Sequence, residues 1–357
     1  MALHPSDEPG PYPAEVRHRI RRDVETDYTY VARALNECGV KVVCLQHDSA
    51  IWGGDDGAFV LDFVRALRVP IVATLHNILP QPSPAQREIL RELVGIAQTS
   101  VSMTRAGAAV LSSVYGVDPT RVAVVPHGIP HLPLVASEVN KPRLGLKDRA
   151  VILSFGLIGP GKGFEAVIEA MPAVIKAVPS ACYVILGATH PAVLARDGEA
   201  YRSGLQARVA ALGLGDHVMF VDRFVGRVEL GTWLEAADIV TTPYPNLEQS
   251  ASGTLAYGMA AGKAIVSTPF AYASELLADG RGRLVASRSP EAFAESFVEL
   301  LNDNEMRNAM GIRAYDHTRK MVWWEVGAEY RRIFDRAAVA PASAPYRPTH
   351  NLAAAVV

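Results

Sequence analysis

Residues 150–178 read AVILSFGLIGPGKGFEAVIEAMPAVIKAV. The first six are almost wholly apolar, as in a strand buried on both faces of a parallel sheet. A glycine- and proline-rich loop follows, then a segment whose apolar positions recur at helical spacing. The unit is strand, loop, helix, and it repeats in both directions. Downstream, CYVILGA, HVMFVD, DIVTTPY and KAIVSTP read as strands with helices between them. PEAFAESFVELLND, MRNAMGIRAYDHTRKM and WWEVGAEYRRIFDRAA read as closing helices. Upstream, EVRHRI is a short strand, and 23–38 carries Tyr28, Val31, Ala32 and Leu35 at helical spacing. KVVCLQHD, VPIVATLHNILP, SVSMT and VAVVPHGI then read as buried strands alternating with helices.

This alternation predicts an α/β chain of two doubly wound, Rossmann-like domains facing a cleft. The first spans 1–135. HLPLVASEVNKPRLGLKD has no apolar periodicity, and 136–148 is read as a linker. The second domain spans 149–320, a last helix spans 321–338, and 339–357 is an Ala- and Pro-rich tail expected to be disordered.

Composition supports this frame. The 357 residues are 49% hydrophobic, enough for two real cores. The net charge is −2, which argues against a nucleic-acid coat. Cys38, Cys44 and Cys182 are scattered, so neither a disulfide scaffold nor a thiolate metal site is expected, and a cytoplasmic setting follows. No apolar run approaches the ~18–20 residues of a membrane span, and MALHPSDEPGPYP lacks the features of a signal peptide.

Open α/β sheets bind ligands beyond the carboxyl ends of their strands, so polar residues there form the shortlist. They are His47, His76, His127, the 156–163 loop, His190 and the 243–257 loop. FGLIGPGKG places small residues and Lys162 ahead of a helix, which suits an anion. It is neither a Walker A loop nor a dinucleotide fingerprint. Its plain alternative is a βα turn with a surface lysine. In PYPNLEQSASGTLAYGMAAG a helix starting near Ser252 or Gly253 offers free N–H groups beside Gln249 and Ser250, for phosphate or sugar hydroxyls. No metal-binding spacing is present, and no metal or other cofactor is expected.

In order, these segments resemble the retaining glycosyltransferases of the GT-B fold, group 1 or family 4. VVCLQHD and VATLHNILP are similar to that family's histidine-ended strands. RVAVVPHGI resembles its VIPNG segment, with His127 where Asn is common. FGLIGPGKG resembles its GR-x-x-x-x-KG loop, LEAADIVTTPY its AD-strand, and TLAYGMAAGKAIVSTP its helix and strand LEAMA-x-G-x-PVV. The resemblance implies transfer of a sugar from a nucleotide-sugar co-substrate to a carbohydrate, lipid or other small acceptor, with retained configuration. By that carry-over His76 contacts the transferred sugar, with His47 and Gln249 as its catalytic company. Gly159 and Lys162 meet diphosphate, and Ser252, Gly253, Thr254, Leu255 and Tyr257 line the donor. His190 and Glu199 lie near the base or ribose.

Three departures stand out. The family's E-x7-E pair falls on Gln249 and Tyr257, and its loop arginine on Leu157. The opening strand and glycine loop have no counterpart before Asp23, so the first domain is read as truncated, with self-association expected to cover its sheet. The missing charges leave two alternatives open. One is a glycosidase or phosphorylase on the same cleft, using carboxylates among Asp48, Asp222, Glu248 and Glu275. The other is an inactive sugar-binding protein.

Overall fold

A computed structural model describes residues 1–4 and 12–339. Part of the Pro-rich lead-in and the tail from 340 onward lie outside the described residues. The chain divides into two compact units, Met1–Pro126 with Gly327 onward, and His127–Val326.

The first unit opens with a short parallel pair, β1 (Ala2–His4) and β2 (Arg19–Arg21). A four-stranded parallel sheet follows in spatial order β3 (Val43–His47), β4 (Ile71–Leu75), β5 (Thr99–Ser102), β6 (Val122–Val124). Helices Glu25–Glu37, Val60–Ala66, Pro84–Ile96 and Arg105–Tyr115 alternate with these strands. Local chemistry sets the helix ends. Ser83 and Gln86 form a reciprocal capping box with Pro84 in the first turn, and Thr104 caps the next helix. β4 is buried along its whole length, as its unbroken apolar run requires. β3 is not. Val43, Leu45 and His47 are buried while Cys44 and Gln46 are exposed, so the expected two-sided burial of KVVCLQHD is corrected to one-sided burial at the edge of this sheet.

The second unit holds a six-stranded parallel sheet. Its strands are β7 (Ala150–Phe155), β8 (Ala181–Leu186), β9 (Val218–Val221), β10 (Ile239–Thr242), β11 (Ala264–Ser267) and β12 (Arg283–Leu284). The spatial order is β12-β11-β10-β7-β8-β9. β12 is two residues long, too short to leave a pattern in the sequence. Phe164, Val167, Met171 and Val174 from the helix Phe164–Ala177 fill one face of the core with Phe293 and Phe297.

Residues 136–148 are not a free connection. Short turns Ser137–Val139 and Lys141–Leu144 pack into the second unit. Lys141 Nζ lies 2.7 Å from Asp238 Oδ2, and both side chains are buried. Ser137 donates to the other oxygen of Asp238 at 2.6 Å, and Asn140 donates to Glu235 at 2.6 Å. Lys263 reaches the carbonyls of Val135 and Glu235, and burial pushes its ammonium down to about 8. Among the described residues no helix is long and apolar enough to cross a membrane.

Candidate functional site

In the second unit the chain runs outward from β7 to β8 and β9, then returns to build β10, β11 and β12 on the other side. The direction reverses between β7 and β10. In open α/β sheets such a reversal leaves a crevice beyond the strands' carboxyl ends, because the flanking connections leave on opposite sides of the sheet. The loops after β7 and β10 meet at this point. Gly163 adopts φ +69°, and a Cβ on it would collide with the carbonyl oxygen of Pro243. Glycine is required there by conformation and by space.

Lys162 stands one residue before that glycine. Its Nζ lies 3.4 Å from Tyr244 Oη and 4.5 Å from the Tyr244 ring centre. Tyr244 is itself buried and stacked on Phe270 at 5.2 Å. Among the described residues Lys162 makes no ion pair, so its charge is held in place without being neutralised. Leu157, where the resemblance would place an arginine, is partly exposed and adds no charge. Gly159 is extended and packs beside Val193 and His190, bringing the loop close to the segment after β8.

The helix Gly253–Ala260 begins beside this loop, with Thr254 Oγ1 at 3.5 Å from the Phe155 carbonyl. Ser252 caps it by accepting from the Leu255 N–H at 3.2 Å. The Leu255 amide expected to face a ligand is therefore already used, while the Ser252 hydroxyl keeps its own hydrogen to donate. The N–H groups of Gly253 and Thr254 have no acceptor among the described residues. Tyr257 lies one turn further and is half-buried. Gln249 donates from Nε2 to the Ala251 carbonyl at 2.8 Å, so half of its amide serves its own loop.

His190 and Glu199 have local duties that the sequence did not reveal. His190 Nδ1 accepts from the Ala192 N–H at 3.1 Å and caps the helix Pro191–Asp197. Glu199 accepts from Thr189 at 2.5 Å and from Arg202 at 3.0 Å, and these contacts hold its carboxyl below the usual range, Thr189 first. Arg202 also pairs with Asp222, which occupies one of the carboxylates considered for hydrolysis.

In the first unit, His76 follows β4 and is half-exposed, and its Nε2 lies 2.7 Å from Gln46 Oε1. Gln46 turns its own Nε2 toward Cys44 Sγ at 3.2 Å, which fixes the amide. Thr74, two residues earlier, hydrogen-bonds Tyr330 at 2.8 Å. His47 differs. It is 4% exposed, and burial pushes its imidazole down to about 4. Neither ring nitrogen has a hydrogen-bond partner among the described residues. The placement gives the expected catalytic role of His47 no support, since burial favours the neutral ring.

His127 is one of the strand-end residues on the sequence shortlist but not of the site the resemblance implies. Its Nε2 faces the first residue of the Gly253–Ala260 helix. Tyr244 falls within the 243–257 loop that the sequence points to, but nothing in the sequence singles it out as the partner of Lys162. Among the described residues there is no grouping of three or more His, Cys, Asp or Glu fit to hold a metal ion.

Residues 136–317 match the family described as Glycosyl transferases group 1, and residues 5–131 match Glycosyltransferase Family 4. The chain belongs to the group 1 glycosyl transferases. The D-inositol 3-phosphate glycosyltransferase of Kineococcus radiotolerans is 28% identical over 295 residues, covering 75% of this chain and 66% of that protein. The protein of the same name from Corynebacterium efficiens is 26% identical over 291 residues, covering 76% and 67%. This glycosyl transferase thus spans about two thirds of the length of the curated relatives it matches. Among solved structures, the sucrose-phosphate synthase of Thermosynechococcus elongatus superposes with a TM-score of 0.75 at 16% identity, over 94% of this chain and 89% of that one. Anabaena HepE, solved with UDP, gives 0.72 at 17% identity, over 87% and 82%. These likenesses show the fold, a GT-B-type α/β architecture of parallel sheets.

Proposed function

We propose that this glycosyl transferase moves a sugar from a nucleotide-sugar donor to a hydroxyl-bearing small acceptor, with retention of anomeric configuration. The observation that carries the reading is the meeting of the loops after β7 and β10, which sets the unneutralised Lys162 against Tyr244 while the helix Gly253–Ala260, with the open N–H groups of Gly253 and Thr254, starts beside the end of β7. Negative charge grows on a leaving diphosphate as the glycosidic bond stretches. Preoriented amides and a fixed cation stabilise that charge without having to reorganise during the reaction. An acceptor attacking on the same face as the leaving group gives retention without a carboxylate nucleophile. That the HepE structures hold UDP or UDP-glucose supports a uridine donor as the first to try. Asp222, engaged by Arg202, gives the hydrolase alternative no support.

The test is thermal stability with UDP, GDP and ADP, each at a hundred times its dissociation constant. Native-state binding at that level adds about 2.7 kcal/mol, read as a rise of several degrees in melting temperature. One nucleotide is expected to give the shift and Lys162→Met to abolish it. No shift with any of them, or a shift indifferent to Lys162→Met, overturns the reading. Proton NMR of the first-formed product then reports its anomeric configuration.

A further inference from the structure

The family carboxylate that would accept a hydrogen bond from a sugar hydroxyl is replaced here by Gln249, whose amide is partly committed to Ala251. The geometry points to His127 as its substitute: Nε2 of His127 accepts a hydrogen bond from a hydroxyl of the transferred sugar at the start of the Gly253–Ala260 helix. This rests on the donor reading above and deepens it by naming the residue that reads the sugar rather than the nucleotide.

Three observations lead there. First, His127 Nδ1 lies 2.8 Å from the carbonyl oxygen of Gly128. A carbonyl can only accept, so Nδ1 carries the hydrogen, and a neutral ring must then present its lone pair at Nε2. Burial favours that neutral ring by lowering the imidazole below its ordinary value. Second, the ring is fixed. The Trp323 ring centre lies 6.3 Å away, and the indole packs against Gly128 so closely that a Cβ on Gly128 would collide with it. Third, Nε2 is aimed at the helix start. A Cβ on Gly253 would stand 3.2 Å from Nε2 and 3.3 Å from Cε1, so glycine at 253 keeps that approach open. Among the described residues no hydrogen bond uses Nε2.

The result is one acceptor beside two donors. A phosphate oxygen at the Gly253 N–H would face the lone pair on Nε2, which repels it. A hydroxyl satisfies both kinds of partner, receiving from an amide and donating to the imidazole. The part of the donor placed against His127 and the Gly253 N–H is therefore a hydroxyl, and the Thr254 N–H and Lys162 are left to the diphosphate.

The experiment compares two affinities in wild type and His127→Phe, which keeps a ring beside Trp323 and removes both nitrogens. The probes are whichever of UDP, GDP and ADP stabilises the wild type, and that nucleotide's glucose and mannose conjugates. Loss of one neutral hydrogen bond weakens the better conjugate about five- to tenfold. The free nucleotide should change less than about twofold, which also shows that the variant is folded. If His127→Phe does not fold, His127→Leu carries the same criterion. Equal losses for nucleotide and conjugate, or no loss for either, overturn the inference while leaving the donor reading standing. Failure of the wild type to bind any nucleotide overturns both.

Discussion

His47 and His76 end neighbouring strands and carry the same cue in the sequence, yet His47 is buried and His76 half-exposed. Strand periodicity decides this. Val43, Leu45 and His47 point to one face, and that face is the core. His76 stands one residue beyond β4, where its ring reaches Gln46 and the surface. Two outcomes follow. His76→Ala should lower turnover about a hundredfold or more, as loss of a group at a reacting centre does, while the melting temperature stays within a few degrees of wild type. A loss of stability without loss of turnover in the folded fraction would count against its role. His47 should instead mark the pH dependence of stability. Its folded value of about 4 lies below the ordinary 6.5, so between those limits the unfolded chain holds a proton that the folded chain does not. Stability contributed by the neutral ring is complete above pH 6.5 and is lost as pH falls toward 4. At pH 5 the loss is about 2 kcal/mol. Urea denaturation of wild type and His47→Met at pH 7 and pH 5 checks this, because the variant should lack that part of the decline.

At the scale of elements, the loops show which glycines are required. Gly116 and Gly163 have nearly the same backbone, φ +72° and +69°. Gly116 ends the helix Arg105–Tyr115 with open space around it, whereas Gly163 faces the Pro243 carbonyl. Gly116→Ala should cost about 1 kcal/mol, the conformational penalty alone. Gly163→Ala should cost about 2–4 kcal/mol, because the two loops must also part. It should weaken nucleotide binding as well, since Lys162 moves with its neighbour. Equal costs in urea denaturation would mean that the loops do not touch as described. The sequence made much of this level legible. Apolar runs located β7, β8, β10 and β11, and Ser252 ahead of GTLAYGMA located the helix start. It could not show that Leu255 is taken by its cap while Gly253 is not, because that depends on one hydroxyl rotamer. Nor could it show why 136–148 is ordered. Lys141 meets Asp238 across 97 residues of chain, a pairing that local periodicity does not encode. Likewise His127 reads as a lone histidine until the fold sets it 126 positions ahead of Gly253 in sequence and beside it in space.

The whole molecule is divided in a way that its linear order conceals. The first unit is built from Met1–Pro126 together with the chain from Gly327, so its last helical contribution arrives after the entire second unit. That contribution is substantial. Tyr330 hydrogen-bonds Thr74 near the carboxyl end of β4, and Ile333 and Ala337 follow on the same helix with almost no exposure. The spacing of 330, 333 and 337 is one helical stripe, as burial on a single face requires. A chain stopped after Val326 therefore deprives the first unit of an apolar face while leaving every strand of the second unit intact. Burial of these side chains contributes about 3–6 kcal/mol, most of it from Ile333 and Tyr330. Hydrogen exchange resolved by segment should then show faster exchange at the amides of β4 and β5, with those of β7 and β8 unchanged. Tyr330→Phe refines the test, since it removes only the hydroxyl that meets Thr74 and should cost about 1 kcal/mol. Uniform loss of protection in both sheets would mean that the two units unfold as one cooperative body. No loss in either would mean that the helix beyond Gly327 does not support β4, and Tyr330→Phe would then be silent too.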